Sequence, residues 1–368
     1  MASSYYSYSM QLLSQQVIDD VLTILISIRA VKIIIPIHTK EFIMLDHSIP
    51  QDMCSISGNF FVIWGALAFL GLVSILGSSA WIFQWLFVDV TFEKWQRKTN
   101  PEYPTPKKVR DEIVLMLKGV AFSTICPSLA IYLRSSNNRN LSFSQAYCTF
   151  SEENVYGIQY HLIQFMGIVL LSDLYEWFYH RLGHIYKPFW EVHRHHHIFF
   201  NPSPFSVISD EFVDQFARSL PLVVFPMLVP INMELMFATY AVFFYFYGVY
   251  LHCGHEVDWI VDAHHPILNT SYQHYVHHAK SVFKKPYHTG FFFKLWDQWA
   301  GSLYPDSKCD CITCQRRQHG KRTQEQYKKV FKPDYSILWK DASVWWGSVK
   351  NDNPHAKSTT TATTGASS

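Results

Sequence analysis

The chain has 368 residues, of which 49% are hydrophobic, 17% aromatic and only 16% charged. An ordinary soluble domain carries about 25% charged residues, so composition argues against the two soluble domains that length alone permits. The aromatic excess of 28 Phe, 21 Tyr and 12 Trp suits broad membrane–water interfaces, while a net charge of +2 without a basic stripe offers nothing to nucleic acid.

Residues 1–58 form an N-terminal segment. Met1 to Met10 is polar and tyrosine-rich, without the basic start and apolar core of a cleavable signal. Val17 to Ile35 is apolar but interrupted by Asp19, Asp20, Arg29 and Lys32, which predicts an interfacial helix.

Residues 59–157 read as a transmembrane region. Asn59 to Phe92 holds the strongest span, with Phe60 to Gly77 uncharged, and about 20 apolar residues cross a bilayer core. Glu93 to Arg110 carries Lys94, Arg97, Lys98, Lys107, Lys108, Arg110 and three prolines, the pattern of a cytoplasmic loop. Ile113 to Leu133 is a second span despite Lys118 and Pro127. Arg134 to Asn154 then falls in the lumen, where Asn140-Leu-Ser142 has the form of a glycosylation acceptor.

Residues 158–304 hold the chemistry. Ile158 to Phe178 is the third expected span and returns the chain to the cytoplasm. Leu220 to Leu251 is broken by Pro226, Pro230 and Asn232, which predicts a hairpin entering and leaving by one face. Residues 305–368 read as a polar cytosolic tail, with a disordered Ser/Thr/Ala stretch from Asn351 to Ser368. There is no internal repeat. The predicted fold is all-α: a polytopic membrane helical bundle of about three spans plus a re-entrant helical hairpin, with a cytosolic histidine-rich metal-binding cap.

Fourteen of the nineteen histidines lie between Tyr179 and His288. They form three knots: His180 and His184; His193, His196 and His197; and His274, His277 and His278. Residues four apart are neighbours on a helix, so His180 and His184 share a stripe with Glu176, and Asp173 lies one turn earlier. Asp173 and Glu176 are candidate partners for the outer ring N–H of liganding imidazoles. In the second knot His195 is the odd one, expected to face away. Eight histidines exceed one tetrahedral zinc, which takes four ligands, and suit two metals with imidazole-rich shells; imidazole accepts iron, zinc and copper alike. A straight crossing by Leu220 to Leu251 would part the third knot from the others by roughly 30 Å, so a shared site requires the hairpin. His252, at the end of that run, is a further candidate ligand; His255, Glu256, His264 and His265 are weaker ones. His38, His47, His161, His319 and His355 read as ordinary interfacial or core histidines.

Seven cysteines are scattered apart from Cys309, Cys311 and Cys314. That trio lacks a fourth nearby ligand, so it reads as an ordinary reduced cytosolic segment, with metal binding left open.

In their order and surroundings the three boxes resemble the fatty acid hydroxylase and sterol desaturase superfamily of membrane di-iron enzymes, over roughly Ile168 to Tyr304. The resemblance includes Tyr179-His-Arg181, Trp190, Asn201-Pro-Ser-Pro-Phe205, Phe293-Lys-Leu-Trp-Asp297 and Gly301-Ser302. Asn269-Thr-Ser-Tyr-Gln-His274 and the Pro-Ser-Pro-Phe segment are most similar to the sterol C-5 desaturase (lathosterol oxidase) branch. Two further histidines of that branch are replaced here by Ile208 and Glu211, and its usual threonine by Ser203, whereas Asp214 matches. The resemblance implies two iron ions, O2 as co-substrate, and electrons from NAD(P)H through cytochrome b5 and its reductase. It assigns substrate choice to the region of Ser203, Phe205 and Asp214. No fused haem segment such as His-Pro-Gly-Gly is present, so the electron donor is expected to be a partner, drawn by the basic loop from Lys94 to Arg110 unless that loop only sets topology.

The function expected from these residues and the resemblance is a lipid oxidase of the endoplasmic-reticulum membrane, its boxes facing the cytosol, that desaturates or hydroxylates a sterol or sterol-like terpenoid. Hydroxylation of an acyl chain or alkyl lipid is the alternative reaction. A membrane metal transporter, or a regulator that keeps the metal site without catalysis, are the non-enzyme alternatives.

Overall fold

The computed structural model describes residues 53–56, 58–135, 144–148, 156–257 and 260–346. The expected interfacial helix of residues 17–35, the acceptor triplet at 140–142 and the Ser/Thr/Ala tail lie outside them. Among the described residues the fold is helical as expected. Its one named strand pair is short, Ala146–Tyr147 lying parallel to Ile231–Asn232.

Among the described residues, three helices are long and apolar enough to cross a membrane, by length and composition: Phe60–Val88, Pro106–Ser135 and Met233–Leu251. The first has no charged residue along its length and ends in a π-helical turn, Gln84–Val88. The second is interrupted at Thr124, where a new helix, Ile125–Ser135, begins with Pro127 in its first turn, a position that tolerates a missing N–H. The helix at the third expected span, Ile158–Ile185, has 28 residues but is not among the three. Gln159, His161, Gln164, Asp173 and Glu176 dilute its apolar run.

The proline-broken run, expected as a hairpin, is broken once and off-centre. Pro226 is accommodated inside the helix Pro221–Leu228, and the break falls at Val229 to Asn232. Asn232 then caps Met233–Tyr240 by accepting from the Leu235 N–H at 2.9 Å, the ordinary role of an N-terminal Asn. The second arm continues through a π-helical stretch, Ala241–Phe246, into Tyr247–Leu251. The arms are therefore unequal, eight residues against nineteen.

The chain divides into two compact units, each built from separated stretches. The first comprises residues 1–77, 119–176 and 212–246. One of its cores gathers Ile56, Ile63, Ala66, Ile131, Ala146, Cys148 and Met233; another gathers Ile168, Leu222, Ile231, Met236 and Tyr240. Cys54 and Cys148 are joined by a disulfide across 94 residues. Buried Gln164 donates to the Tyr147 hydroxyl at 2.8 Å and accepts from the Asn232 N–H at 3.0 Å, so its amide is satisfied where burial would otherwise be costly.

The second unit comprises residues 78–118, 177–211 and 247–368 and contains all three histidine boxes. Here the basic loop is less solvated than its sequence implies. Lys98 is wholly buried between the rings of Phe87 and Tyr103, and burial pushes its ammonium down to about 7, with the Arg322 charge adding to the effect. Lys94 donates to the Trp85 and Asp89 carbonyls, and Lys108 lies over the Phe200 ring. Residues 305–346 are likewise no loose tail. They form the helices Ile312–His319 and Gln324–Lys329, and Arg322 donates to the Trp95 and Lys98 carbonyls.

Candidate metal centre

The helix Ile158–Ile185 delivers the first box near its C-terminal end, with His180 and His184 one turn apart. Gly183 between them is a close-approach position. A Cβ there would stand 3.0 Å from the His193 ring, tighter than most packed side chains come.

The second box is not one helix. Lys187–His193 ends at His193, and a 3-10 turn, His196–Ile198, follows. The third box lies on Ser271–Lys280, whose start is fixed by a capping box between Thr270 and Gln273. On that helix His274 and His278 share a stripe, while His277 is turned aside by the 3.6-residue period.

The histidines converge as two groups. One holds His180, His184, His193, His197 and His277; the other holds His196, His252, His274 and His278, with ligand atoms in each group within 4.8 Å of one another. The second and third boxes each divide between the two groups. All nine residues are buried except His197, which is partly so. Within the groups the Nε2 atoms stand close: His197 to His193 at 3.3 Å, His277 to His197 at 3.1 Å, His278 to His274 at 3.2 Å and His274 to His252 at 2.7 Å.

Outward partners fix the tautomers. His180 Nδ1 donates to the Thr289 carbonyl at 2.9 Å, His277 Nδ1 to Tyr287 at 2.7 Å and His252 Nδ1 to Gly248 at 2.8 Å. A carbonyl only accepts, so each Nδ1 carries the proton and each neutral ring turns its Nε2 lone pair toward its group. His196 Nδ1 donates to the Ser209 carbonyl at 3.3 Å and stands 2.7 Å from the Asp210 carboxylate. Carbonyl or carboxylate on the outer nitrogen, lone pair on the inner, is how proteins orient metal-ligating histidine. Burial, followed by the neighbouring imidazoles, holds His197, His277 and His278 far below the ordinary imidazole range. This set of converging neutral nitrogens fits two transition ions, iron among them.

The other singled-out residues lie as follows. Glu176 is ion-paired with Arg218 at 2.9 Å, and Asp173 is fully buried on the same helix. Asp210, which sequence reasoning missed, is the carboxylate that faces a box histidine; nothing in its spacing from His196 marks it. His195 stands outside both groups and bonds Glu211 at 2.9 Å. Ser203 is buried, its N–H and hydroxyl both on the Glu112 carboxylate. Phe205 packs on Phe83, and Asp214 is buried on the helix Phe212–Ser219. Asp297 accepts from the Thr289 N–H and hydroxyl, the Gly290 N–H and the Ser302 hydroxyl. A cavity of about 450 Å³ is lined by Trp81, Trp85, Leu86, Tyr250 and Cys253, among others; Tyr250 and Cys253 bracket the end of the helix that leads into His252.

Residues 165–302 match the fatty acid hydroxylase family. The chain is 27% identical over 239 residues to a probable Delta(7)-sterol 5(6)-desaturase of Neurospora crassa, covering 61% of this chain and 63% of that protein. It is 24% identical to the Delta(7)-sterol 5(6)-desaturase of Candida glabrata, over 66% of this chain and 60% of the other. Human lathosterol oxidase is 26% identical over 40% of this chain and 47% of its own length. The matched stretches thus span less than two thirds of these relatives. No solved structure matches. Residues 165–302 of the chain thus belong to the fatty acid hydroxylase and sterol desaturase superfamily.

Proposed function

We propose that the chain is a membrane di-iron oxidase that uses O2 and cytochrome b5-derived electrons to desaturate or hydroxylate a sterol or sterol-like lipid. The observation that carries this reading is the convergence of nine histidines from four chain segments into two adjoining sets of nitrogen donors. His180, His184, His193, His197 and His277 hold one ion, and His196, His252, His274 and His278 the other. Two irons bound there supply the reduction of O2 and the removal of hydrogen from an unactivated C–H bond.

The chain's own residues orient and shield. The Thr289, Tyr287, Gly248 and Ser209 carbonyls keep the ring protons on the outer nitrogens, leaving the inner lone pairs for metal. Burial of the boxes excludes bulk water, and the aromatic cavity at Trp81, Trp85 and Tyr250 suits an apolar substrate. None of the nine histidines lies within the three helices apolar enough to span a membrane, which favours an oxidase over a transporter whose ligands sit at mid-bilayer.

The location proposed is the endoplasmic-reticulum membrane, with residues 158–304 as the catalytic domain and the boxes toward the cytosol. The Cys54–Cys148 disulfide supports this orientation, because disulfides persist on the oxidising lumenal side. The sterol is inferred from the relatives, which are sterol desaturases and a lathosterol oxidase. The alternative substrate, an acyl chain, alkyl lipid or terpenoid, is favoured by Glu211. That acid stands where the sterol branch carries a histidine and is occupied by His195.

Lipid profiling of a deletion strain, rescued with the native chain or with His196→Ala, tests the reading. One unoxidised sterol should accumulate without rescue and with the variant, and clear with the native chain. A hydroxylated acyl lipid lost in its place would move the assignment to the alternative. Unchanged lipids in every strain would defeat both.

A further inference from the structure

We propose a second, structural metal site: a zinc ion held by Cys309, Cys311, Cys314 and His264. The trio in Cys309-Asp-Cys-Ile-Thr-Cys314 is one ligand short in its own segment, and the fold supplies the fourth from a loop 45 residues upstream. The three sulfurs and an imidazole nitrogen of His264 all lie within 4.8 Å of one another. His264 Nε2 is 3.2 Å from Cys311 Sγ and 3.4 Å from Cys314 Sγ. A tetrahedral zinc with Zn–S of about 2.3 Å and Zn–N of about 2.0 Å spaces S and N by roughly 3.6 Å, so a few tenths of an ångström of relaxation admits the ion. Three thiolates and one imidazole form a closed structural zinc set, and soft sulfur donors select zinc over the harder metals.

The surroundings are arranged around these four atoms. Cys311 caps the helix Ile312–His319, its sulfur accepting the Cys314 N–H at 3.4 Å; such an N–H stabilises a thiolate as it does any anion at a helix start. The backbone flanking His264 is held on both sides. The Ala263 carbonyl accepts from Gln273 Nε2 at 2.6 Å, and the His265 carbonyl from Lys294 Nζ at 2.8 Å. The cysteines are buried in a small cluster with Ala263, Tyr272 and Val276. From Lys308 to Lys321 the chain is polar, with Ile312 its single large aliphatic residue, so apolar burial alone anchors it poorly.

The site sits against the third histidine box. The Tyr272 hydroxyl donates to the Asp310 carboxylate at 2.7 Å and accepts the Asp310 N–H at 2.9 Å. Asp310 lies between two of the sulfur ligands, and Tyr272 is two residues before His274. Zinc there clamps the C-terminal segment to the helix that serves both histidine groups.

Zinc K-edge absorption of the purified full chain tests this independently of the histidine boxes, which contain no sulfur. The native protein should hold one zinc with three sulfur neighbours at about 2.3 Å. Cys311→Ser and His264→Ala should each remove that zinc, and His264→Cys should keep it with four sulfurs. A native protein without zinc, zinc with only nitrogen or oxygen neighbours, or sulfur-bound zinc undiminished in Cys311→Ser and His264→Ala overturns the proposal. The native spectrum alone decides if a variant fails to fold.

Discussion

His180 and Asp297 are joined through a single residue. The Thr289 carbonyl accepts from His180 Nδ1 at 2.9 Å, while the Thr289 N–H and hydroxyl donate to Asp297 Oδ1 at 3.1 and 3.0 Å. The closing Trp-Asp motif thereby sets the direction of a box imidazole 117 positions earlier in the chain. In Asp297→Asn one oxygen becomes a donor facing the Gly290 N–H or the Thr289 and Ser302 groups, and a buried donor left unmade costs about 1–3 kcal/mol. Iron content and turnover should fall by about 10–100-fold, the usual effect of losing an outer partner of a metal ligand. Metal analysis of the variant beside the native protein checks this.

Gly183→Ala should act on the second box from within the first. The added methyl meets His193 Cγ at 3.0 Å and Cδ2 at 3.1 Å, so the ring must give by a few tenths of an ångström, enough to disturb a metal ligand. Because alanine is the better helix former by about 1 kcal/mol, loss of iron despite an undiminished helical circular-dichroism signal would identify a misplaced ligand. Native iron content in this variant would contradict the packing described.

Asp210 offers a comparison between charge and hydrogen bonding. Asp210→Asn keeps a polar oxygen 2.7 Å from His196 Nδ1, a contact almost wholly buried, whereas Asp210→Ala leaves the ring to the Ser209 carbonyl alone. Activity should decline in the order native, Asn, Ala, with Ala lower by about 10–100-fold. Equal loss in both variants would indicate that the charge, rather than the bond, orients the ring.

Lys98 predicts a pH dependence of stability. Its folded value of about 7 lies below the ordinary 10.5, so between these limits the unfolded chain binds a proton that the folded chain lacks. Stability therefore rises with pH across that window, and below about pH 7 both states are protonated and this slope vanishes. Glu256, pushed up to about 8 by burial, contributes in the opposite direction, so the test is a difference. Lys98→Met should flatten the change in thermal midpoint between pH 7 and pH 9 relative to the native chain.

The helical class, the first two spans and the three boxes were legible because each leaves a local signature: an uncharged run, or imidazoles at helical spacing. The division of His277 from His278 also follows from the helix period, once the helix is given. What sequence spacing does not carry is contact at long range. Asp210 on His196, the Thr289 carbonyl on His180 and His264 beside three cysteines depend on loops whose paths no periodicity encodes. The burial of Lys98 was hidden for a related reason. Lys98 looks like its charged neighbours, and the cross-pairing of Thr99 with Gly254 and of Glu256 with Arg97 accompanies its burial. Likewise Pro226 was read as a break, yet the helix tolerates it and ends two residues later.

His277 and His278 are consecutive in the chain but serve different groups. Neither ion can then be released by a screw motion of Ser271–Lys280 without disturbing the other, since one peptide bond ties their ligands together. Metal loading should accordingly be cooperative: whichever ion arrives first sets the pitch and azimuth of that helix, and so prepares the berth of the second.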